Sequence, residues 1–145
     1  MTIVCVGNRW RSDDGVGLAV AARLRERGLE PVEREGEPVG ILDALEGASA
    51  AVVVDAVSSG ADPGTVHVLD ASRHPLPASL FAHSTHHLGL GEALELARAL
   101  GRLPERTLVV GIEGASWDAG DGLSPAVAAA VERAVEEVER CTSGR

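Results

Sequence analysis

The stretch TIVCVGNRWRSDDGVGLAVAARLRERG, residues 2–28, combines a strand, a loop and a helix in direct succession. Residues 2–6 are mostly apolar and β-branched, which is typical of a short buried strand. Val16, Val20 and Leu24 then recur at every fourth position, so they lie on one face of a predicted helix. A strand that leads directly into a helix begins a β–α–β unit, and the stretch therefore predicts a parallel sheet.

The same alternation of strand and helix continues along the rest of the chain. Further strands are predicted at residues 31–33, 50–54 (ending at Asp55), 65–69 and 107–112. Further helices are predicted around Ile41–Leu45, from Leu90 to Leu100, and after Ser124, which we expect to cap the last helix. The strand at 65–69 alternates like an exposed edge strand. We therefore expect a single α/β domain, residues 1–145, with a twisted, mostly parallel sheet of about five strands and helices on both faces.

The composition excludes several kinds of chemistry. The sequence contains neither lysine nor tyrosine. A Walker A lysine, a Schiff-base lysine, a Ser-Lys dyad and a tyrosine nucleophile are therefore impossible. Acidic residues outnumber basic ones, 22 against 13, which argues against nucleic acids and anionic membranes as partners.

The sequence also bears on where the protein works. Cys5 lies in a predicted strand and Cys141 in the polar tail, so we expect no disulfide. The apolar runs end well before the ~18 residues of a membrane span. Residues 1–6 lack the positive segment of a signal peptide. We therefore expect a cytoplasmic protein, and its few aromatic residues favour a monomer.

Residues able to bind a metal stand where the predicted strands end. Asp14 lies at the start of the first helix, Asp55 follows a buried strand, and His86 or His87 precedes the third helix. Ligands of parallel α/β sheets bind beyond the carboxyl ends of the strands. Two carboxylates and one imidazole suit nickel or zinc with coordination positions left open.

A phosphate is a poor alternative ligand for the first loop. Asp13 and Asp14 already place negative charge at the positive end of the first helix, where a phosphate would bind. The spacing of Gly7, Gly15 and Gly17 fits neither the dinucleotide fingerprint nor the P-loop.

Purely structural roles for these residues stay open at the level of sequence. Ser12, Asp13 or Asp14 would serve equally well as a cap of the first helix. Asp55 could instead bind backbone amides at the end of a strand. Each histidine in 83–87 could be an ordinary surface residue. Trp10 fits either a core anchor or an exposed binding contact. Catalysis by Ser84 or Ser116 is disfavoured, because the chain has no G-x-S-x-G motif.

The ordered motifs of the chain resemble a known family. They are G-N-x-x-x-x-D-D-G-V-G at 7–17, V-V-D-A at 53–56 with P-G at 63–64, S-T-H-H-L-G-L at 84–90, and L-V-V-G-I-E at 108–113 with L-S-P at 123–125. In this order and spacing they resemble the nickel-iron hydrogenase maturation endopeptidases, across nearly the whole chain.

The resemblance implies a protease that removes a C-terminal extension from the precursor of a nickel-iron hydrogenase large subunit. Cleavage would follow nickel insertion, and the enzyme would recognise nickel carried by this nickel-loaded partner. The metal-contacting and catalytic positions carry over onto Asp14, Asp55 and His86. Either a carboxylate-activated water or the metal would cut the peptide bond. A non-catalytic checkpoint that binds the nickel-loaded subunit is the alternative.

The chain departs from the family pattern at two places, Asp14 and Glu35-Gly36-Glu37. The first metal position is Glu or Asp in the family and is Asp14 here, one methylene shorter than Glu. His87 adjoins His86, which keeps the family spacing to L-G-L. Glu35-Gly36-Glu37 stands where many members have Asp-Gly-Gly, which bears on substrate preference.

Overall fold

The computed structural model describes residues 1–81 and 89–143. It contains strands β1 to β5 and helices α1 to α4, joined by loops and two short 3₁₀ helices at Ser12–Gly15 and Ala78–Phe81. The order along the chain is β1 (Thr2–Val6), α1 (Val16–Glu26), β2 (Val32–Arg34), α2 (Pro38–Leu45), β3 (Ala50–Val57), β4 (Val66–Asp70), α3 (Leu90–Ala99), β5 (Arg106–Glu113) and α4 (Pro125–Thr142).

The strands form one five-stranded sheet in the order β2-β1-β3-β5-β4. Neighbouring strands are parallel except for β4, which pairs antiparallel with β5 at the edge. The predicted α/β class, the mostly parallel sheet and the edge strand are therefore confirmed. The prediction that the third strand ends at Asp55 was wrong: β3 continues to Val57, because β5 pairs with it as far as Glu113.

Helices cover both faces of the sheet, as predicted. On one face, α1 and α4 bury Val20, Leu24 and Val135 against Val52 and Val54 of β3. The other face packs against α2 and α3 through a separate apolar cluster. That cluster includes Val4, Ile41, Leu45, Val53, Val57 and Leu94. The central strand β3 is thus buried on both sides, which fits its nearly continuous run of apolar residues.

A close approach between α1 and the sheet depends on Gly17. A Cβ atom at Gly17 would lie only 2.2 Å from the carbonyl oxygen of Val6 and 3.1 Å from that of Val54. The start of α1 therefore rests directly on the ends of β1 and β3. This contact places the preceding loop, with Asp13 and Asp14, over the carboxyl edge of the sheet.

Within residues 1–81 and 89–143, every helix is too short or too polar to cross a bilayer.

Candidate functional site

Asp14 and Asp55 lie close together at the carboxyl edge of the sheet. Asp14 belongs to the 3₁₀ helix before α1, and its carbonyl oxygen accepts a hydrogen bond from the amide of Asn8 at 3.0 Å. Asp55 is in β3, and its Oδ1 accepts from the amide of Ala56 at 2.8 Å. Both aspartates are only 7% exposed. The structure thus brings two of the three predicted metal-binding residues together.

The electrostatics of the pair favour a cation. Burial raises the pKa of Asp55 well above its usual range, and the charge of Asp14 raises it further, against the lowering effect of the Ala56 amide. Two adjoining, buried carboxylates repel each other when both are ionised. A divalent cation removes that repulsion, and oxygen donors from carboxylates are suitable ligands.

The predicted third ligand, His86, lies outside the described residues, as do His83, Ser84 and His87. In the part of the chain that the structure describes, no group of three or more His, Cys, Asp or Glu side chains is arranged to hold a metal ion. The described part of the chain thus brings Asp14 and Asp55 together, and metal binding by Asp14, Asp55 and His86 stays a prediction.

Asp13 has a different role from the helix cap that the sequence allowed. It is fully buried, and its Oδ2 accepts hydrogen bonds from the amides of Ala115 and Ser116, at 2.7 and 2.8 Å. Ser124 donates to the same carboxylate twice, from its amide to Oδ1 at 2.7 Å and from its Oγ to Oδ2 at 2.8 Å. Burial alone would raise the pKa of Asp13, but these hydrogen bonds outweigh it and hold the pKa below the usual range.

The structure excludes the capping alternative for the first helix and confirms the N-cap position predicted for Ser124. The residues at the N-cap positions of the 3₁₀ helix and of α1 are Arg11 and Gly15, not Ser12, Asp13 or Asp14. Ser124 does occupy the N-cap position of α4, but its hydroxyl group binds Asp13 instead of the helix.

Residues 114–124 form a second loop that pairs with the loop carrying Asp14. The amide of Ser12 donates to the carbonyl of Gly120 at 2.8 Å, and the amide of Gly120 donates to the carbonyl of Trp10 at 2.8 Å. The hydroxyl of Ser12 also donates to the carbonyl of Asp118 at 2.8 Å. Trp10 itself is 64% exposed, which settles its alternatives in favour of an exposed side chain.

Glu113 is a further buried carboxylate, which sequence reasoning missed as an individual residue. Its Oε2 accepts from the amides of Ser59 and Gly60, at 2.7 and 3.3 Å, and its Oε1 from the hydroxyl of Ser59 at 2.6 Å. Nε2 of His67 lies 3.1 Å from the same Oε1. These bonds more than offset the effect of burial, so the pKa of Glu113 is below its usual range. The feature of the sequence that could have indicated this residue is a glutamate at the end of an apolar strand.

A cleft of about 370 Å³ opens beside the Asp14 loop. Its lining includes Trp10 from that loop, together with Glu35 and Glu37. The Glu35-Gly36-Glu37 departure from the family pattern therefore lies along a cleft next to the site, and Gly36 has a φ of 106°, which favours glycine.

Comparison with known proteins agrees with this architecture. The hydrogenase maturation protease family model matches residues 37–141. The chain is 31% identical to the hydrogenase 2 maturation protease of Escherichia coli over 94% of this chain and 86% of that protein. It is 29% identical to the hydrogenase expression/formation protein HupD of Rhodobacter capsulatus, over 95% of this chain and 69% of that protein.

Solved structures show the same fold. The hydrogenase maturating endopeptidase HybD from E. coli superposes with a TM-score of 0.77 at 25% identity, covering 99% of this chain and 94% of that one. The [NiFe] hydrogenase maturation protease HybD from Thermococcus kodakarensis superposes with a TM-score of 0.71 at 26% identity, over 97% and 98% of the two chains. The chain therefore belongs to the hydrogenase maturation protease family and is a peptidase.

Proposed function

We propose that this peptidase removes a C-terminal extension from the precursor of a nickel-iron hydrogenase large subunit after nickel has been inserted. The nickel belongs to the substrate, and Asp14 and Asp55 bind it. The observation that carries the proposal is the pair of buried carboxylates, in which burial and the charge of Asp14 both raise the pKa of Asp55. A cation brought by the substrate would relieve the repulsion between the two carboxylates.

The site would use the metal as a handle. Carboxylates that bind nickel on the precursor hold the adjoining peptide bond at a fixed distance, and this converts binding energy into orientation. A precursor without nickel would leave the two carboxylates facing each other and would bind weakly. Recognition of the metal thus imposes the order of the two maturation steps. We include His86 in this set on the resemblance alone.

Hydrolysis consumes one water molecule, whose hydroxyl joins the carbonyl carbon while its proton ends on the departing amine. Two routes fit the site. In one, a carboxylate of the pair accepts the proton of the attacking water as a general base. In the other, the substrate's metal polarises the carbonyl or acidifies the water.

We further propose that the protein works as a cytoplasmic monomer, in line with its acidic surface and its two buried free cysteines, Cys5 and Cys141.

Cleavage of a purified large-subunit precursor tests the proposal. The nickel-loaded precursor and the same precursor without nickel are incubated with the wild-type enzyme, and intact mass spectrometry follows the loss of the C-terminal peptide. The comparison variants are Asp14→Asn and Asp55→Asn, with Asp62→Asn as a matched control, because Asp62 is an exposed acid in the turn before β4.

We expect cleavage only with nickel and only in the wild type and in Asp62→Asn. Cleavage that is independent of nickel would contradict metal recognition. Stable binding of the nickel-loaded precursor without any change in mass would instead support a non-catalytic checkpoint.

A further inference from the structure

Residues 113–116, at the end of β5 and just beyond it, contact chain segments next to both Asp14 and Asp55. Glu113 faces the loop that follows β3, which carries Asp55. Two residues later, the amides of Ala115 and Ser116 bind Asp13, the neighbour of Asp14. One short segment therefore lies between the two halves of the site.

On the Asp14 side, the contact is tight, and Asp13 itself is fully buried. Asp13 accepts four hydrogen bonds, two of them from Ser124 at the start of α4. The backbone of Asp13 also takes part, because its amide donates to the carbonyl of Ser116 at 3.1 Å. A Cβ atom at Gly114 would lie 3.1 Å from the Cβ of Asp13, so the segment after β5 and the Asp14 loop are in direct contact.

On the Asp55 side, Glu113 and Gly114 at the end of β5 bind the end of β3 and the segment that joins it to β4. Its carbonyl accepts from the amide of Gly64 at 2.8 Å, and its amide donates to the carbonyl of Thr65 at 2.8 Å. The next amide, of Gly114, donates to the carbonyl of Val57 at 3.0 Å. The carboxylate of Glu113 binds Ser59 and Gly60 beyond that point. The strand that carries Asp55 is thus fixed immediately after the site.

The Glu113 cluster is not a nucleophilic triad. The hydroxyl of Ser59 and the ring of His67 both contact Oε1 of Glu113, so the acid lies between the serine and the histidine. In a hydrolase triad the histidine lies between the serine and the acid and takes the serine proton. The arrangement therefore favours a supporting role for Glu113.

We propose that Asp13 and Glu113 are positioning residues, which together fix the separation and orientation of the Asp14 and Asp55 carboxylates for the substrate's metal. This inference rests on the proposed function. A carboxylate that accepts three or four hydrogen bonds within a buried site has few alternative positions, and residues that support metal ligands affect metal affinity strongly. The hydrogen bonds to Asp13 and Glu113 join segments that are far apart in sequence. They therefore fix the positions of these segments relative to each other and do not merely stabilise a local turn.

The test uses the isosteric variants Asp13→Asn and Glu113→Gln in the whole protein. Each amide occupies the space of the carboxylate but removes its charge. In Asp13→Asn, either orientation presents the NH₂ group to at least one backbone N–H donor. In Glu113→Gln, the amide oxygen can keep the bonds to Ser59 and Gly60 only if the NH₂ group faces the Ser59 hydroxyl and the His67 ring. Milder variants, Ser124→Ala and Ser59→Ala, remove one hydroxyl donor from each cluster. Asp121→Asn and Glu105→Gln are matched controls, since both acids are exposed and Asp121 lies in the 114–124 loop itself.

Three quantities are measured for each variant: kcat and KM on the nickel-loaded precursor, the affinity for Ni²⁺ alone by calorimetry, and the thermal unfolding midpoint. We expect kcat and Ni²⁺ affinity to fall by about 10–100-fold in the two amide variants and by less in the two alanine variants. The controls should match the wild type. The activity loss should persist at temperatures where the variants are fully folded.

The outcomes separate this inference from the proposed function. A wild-type enzyme that neither cleaves the nickel-loaded precursor nor binds Ni²⁺ would refute the proposed function, and the positioning role with it. An active wild type with folded variants that keep full kcat and Ni²⁺ affinity would refute the positioning role alone. If the amide variants do not fold, the alanine variants decide: unchanged kcat and affinity in both would overturn the inference.

Discussion

At the scale of single residues, the site contains a conflict between stability and function. Asp55 is nearly inaccessible to solvent and adjoins Asp14, and both features disfavour its ionised form. Without the substrate's metal, the native state therefore binds a proton at Asp55 more tightly than the unfolded chain does. A residue that opposes folding in this way fits the chemical role that we propose for Asp55 better than a purely structural one.

The variant Asp55→Asn should be inactive but more stable than the wild type. The amide removes a buried ionisable group, so we expect the free energy of unfolding at neutral pH to rise by about 0.5–2 kcal/mol. Because the pKa of Asp55 is raised in the folded state, ionisation opposes folding, and wild-type stability should fall as pH increases above ~4. The advantage of Asp55→Asn should therefore grow with pH. Denaturant unfolding at several pH values measures it, and a variant less stable than the wild type throughout would contradict this explanation.

Glu113 should give a pH dependence of the opposite sign. Its folded-state pKa is lowered, so the native state binds fewer protons than the unfolded chain in acid. The stabilisation is fully present above the unfolded pKa of ~4.3 and is lost as pH falls through the lower, folded value. Glu113→Gln should therefore flatten the decline in stability below pH ~4, whereas Glu105→Gln should retain it. If the free energy of unfolding falls equally in wild type and Glu113→Gln below pH ~4, the role given to these hydrogen bonds is contradicted.

At the scale of elements, the position of the site depends on how closely α1 approaches the sheet. Gly17 has no space for a side chain, because its neighbours are the carbonyl oxygens of Val6 and Val54, and backbone atoms cannot move aside cheaply. Gly40 in α2 offers a contrast, since a Cβ there would meet Arg34 Cδ, part of a flexible side chain, at 3.2 Å.

We predict that Gly17→Ala destabilises the protein by about 1–3 kcal/mol and lowers activity, because α1 and the Asp14 loop must shift together. Gly40→Ala is the matched control. It also lies near the start of a helix and should change the free energy of unfolding by less than about 1 kcal/mol. Chemical denaturation compares the two. Equal effects of both substitutions would show that the backbone contact at Gly17 is unimportant.

The elements were predictable from the sequence because hydrophobic periodicity is a local signal. The apolar spacing of Val16, Val20 and Leu24 identified α1, and the alternation at 65–69 identified β4 as an edge strand. The end of β3 was not predictable, since it is set by pairing with β5 and not by the chain around Asp55. The role of Asp13, for which capping was one open alternative, was not predictable for the same reason. Its four donors belong to residues more than a hundred positions away.

The candidate site was predictable in part. Asp14 and Asp55 were identified from their motifs, and the fold brings them together at the carboxyl edge of the sheet, where α/β proteins bind ligands. The third position, His86, lies outside the described residues and stays a prediction. The supporting carboxylate of Glu113 was hidden because no short motif distinguishes a buried, hydrogen-bonded glutamate from one at a solvent-exposed strand end.

At the scale of the whole molecule, the two cysteines report on the integrity of the core. Cys5 is fully buried in β1, and burial raises the pKa of its thiol to about 12. Cys141 is 7% exposed near the end of α4, and burial raises its pKa as well. Since the thiolate is the reactive form, both residues should be inert in the native state.

We predict that neither cysteine reacts with iodoacetamide at pH 8 in the folded protein, and that both react once it is unfolded in denaturant. Mass spectrometry counts the adducts. Modification of Cys5 in the native state would show that β1 opens without global unfolding. The assay therefore also checks that variants of the site remain folded during activity measurements.

The pairing of the Asp14 loop with residues 114–124 has a consequence for biosynthesis. Asp13 leaves the ribosome early, whereas Ser124, which satisfies it, follows 111 residues later. Translation proceeds from the amino terminus, so the first loop emerges long before its hydrogen-bond donors exist. A nascent chain that ends just before residue 124 has all five strands of the sheet but lacks the two hydrogen bonds that Ser124 donates to Asp13. The carboxylate of Asp13 therefore gains its full set of hydrogen-bond donors only after synthesis has passed the start of α4.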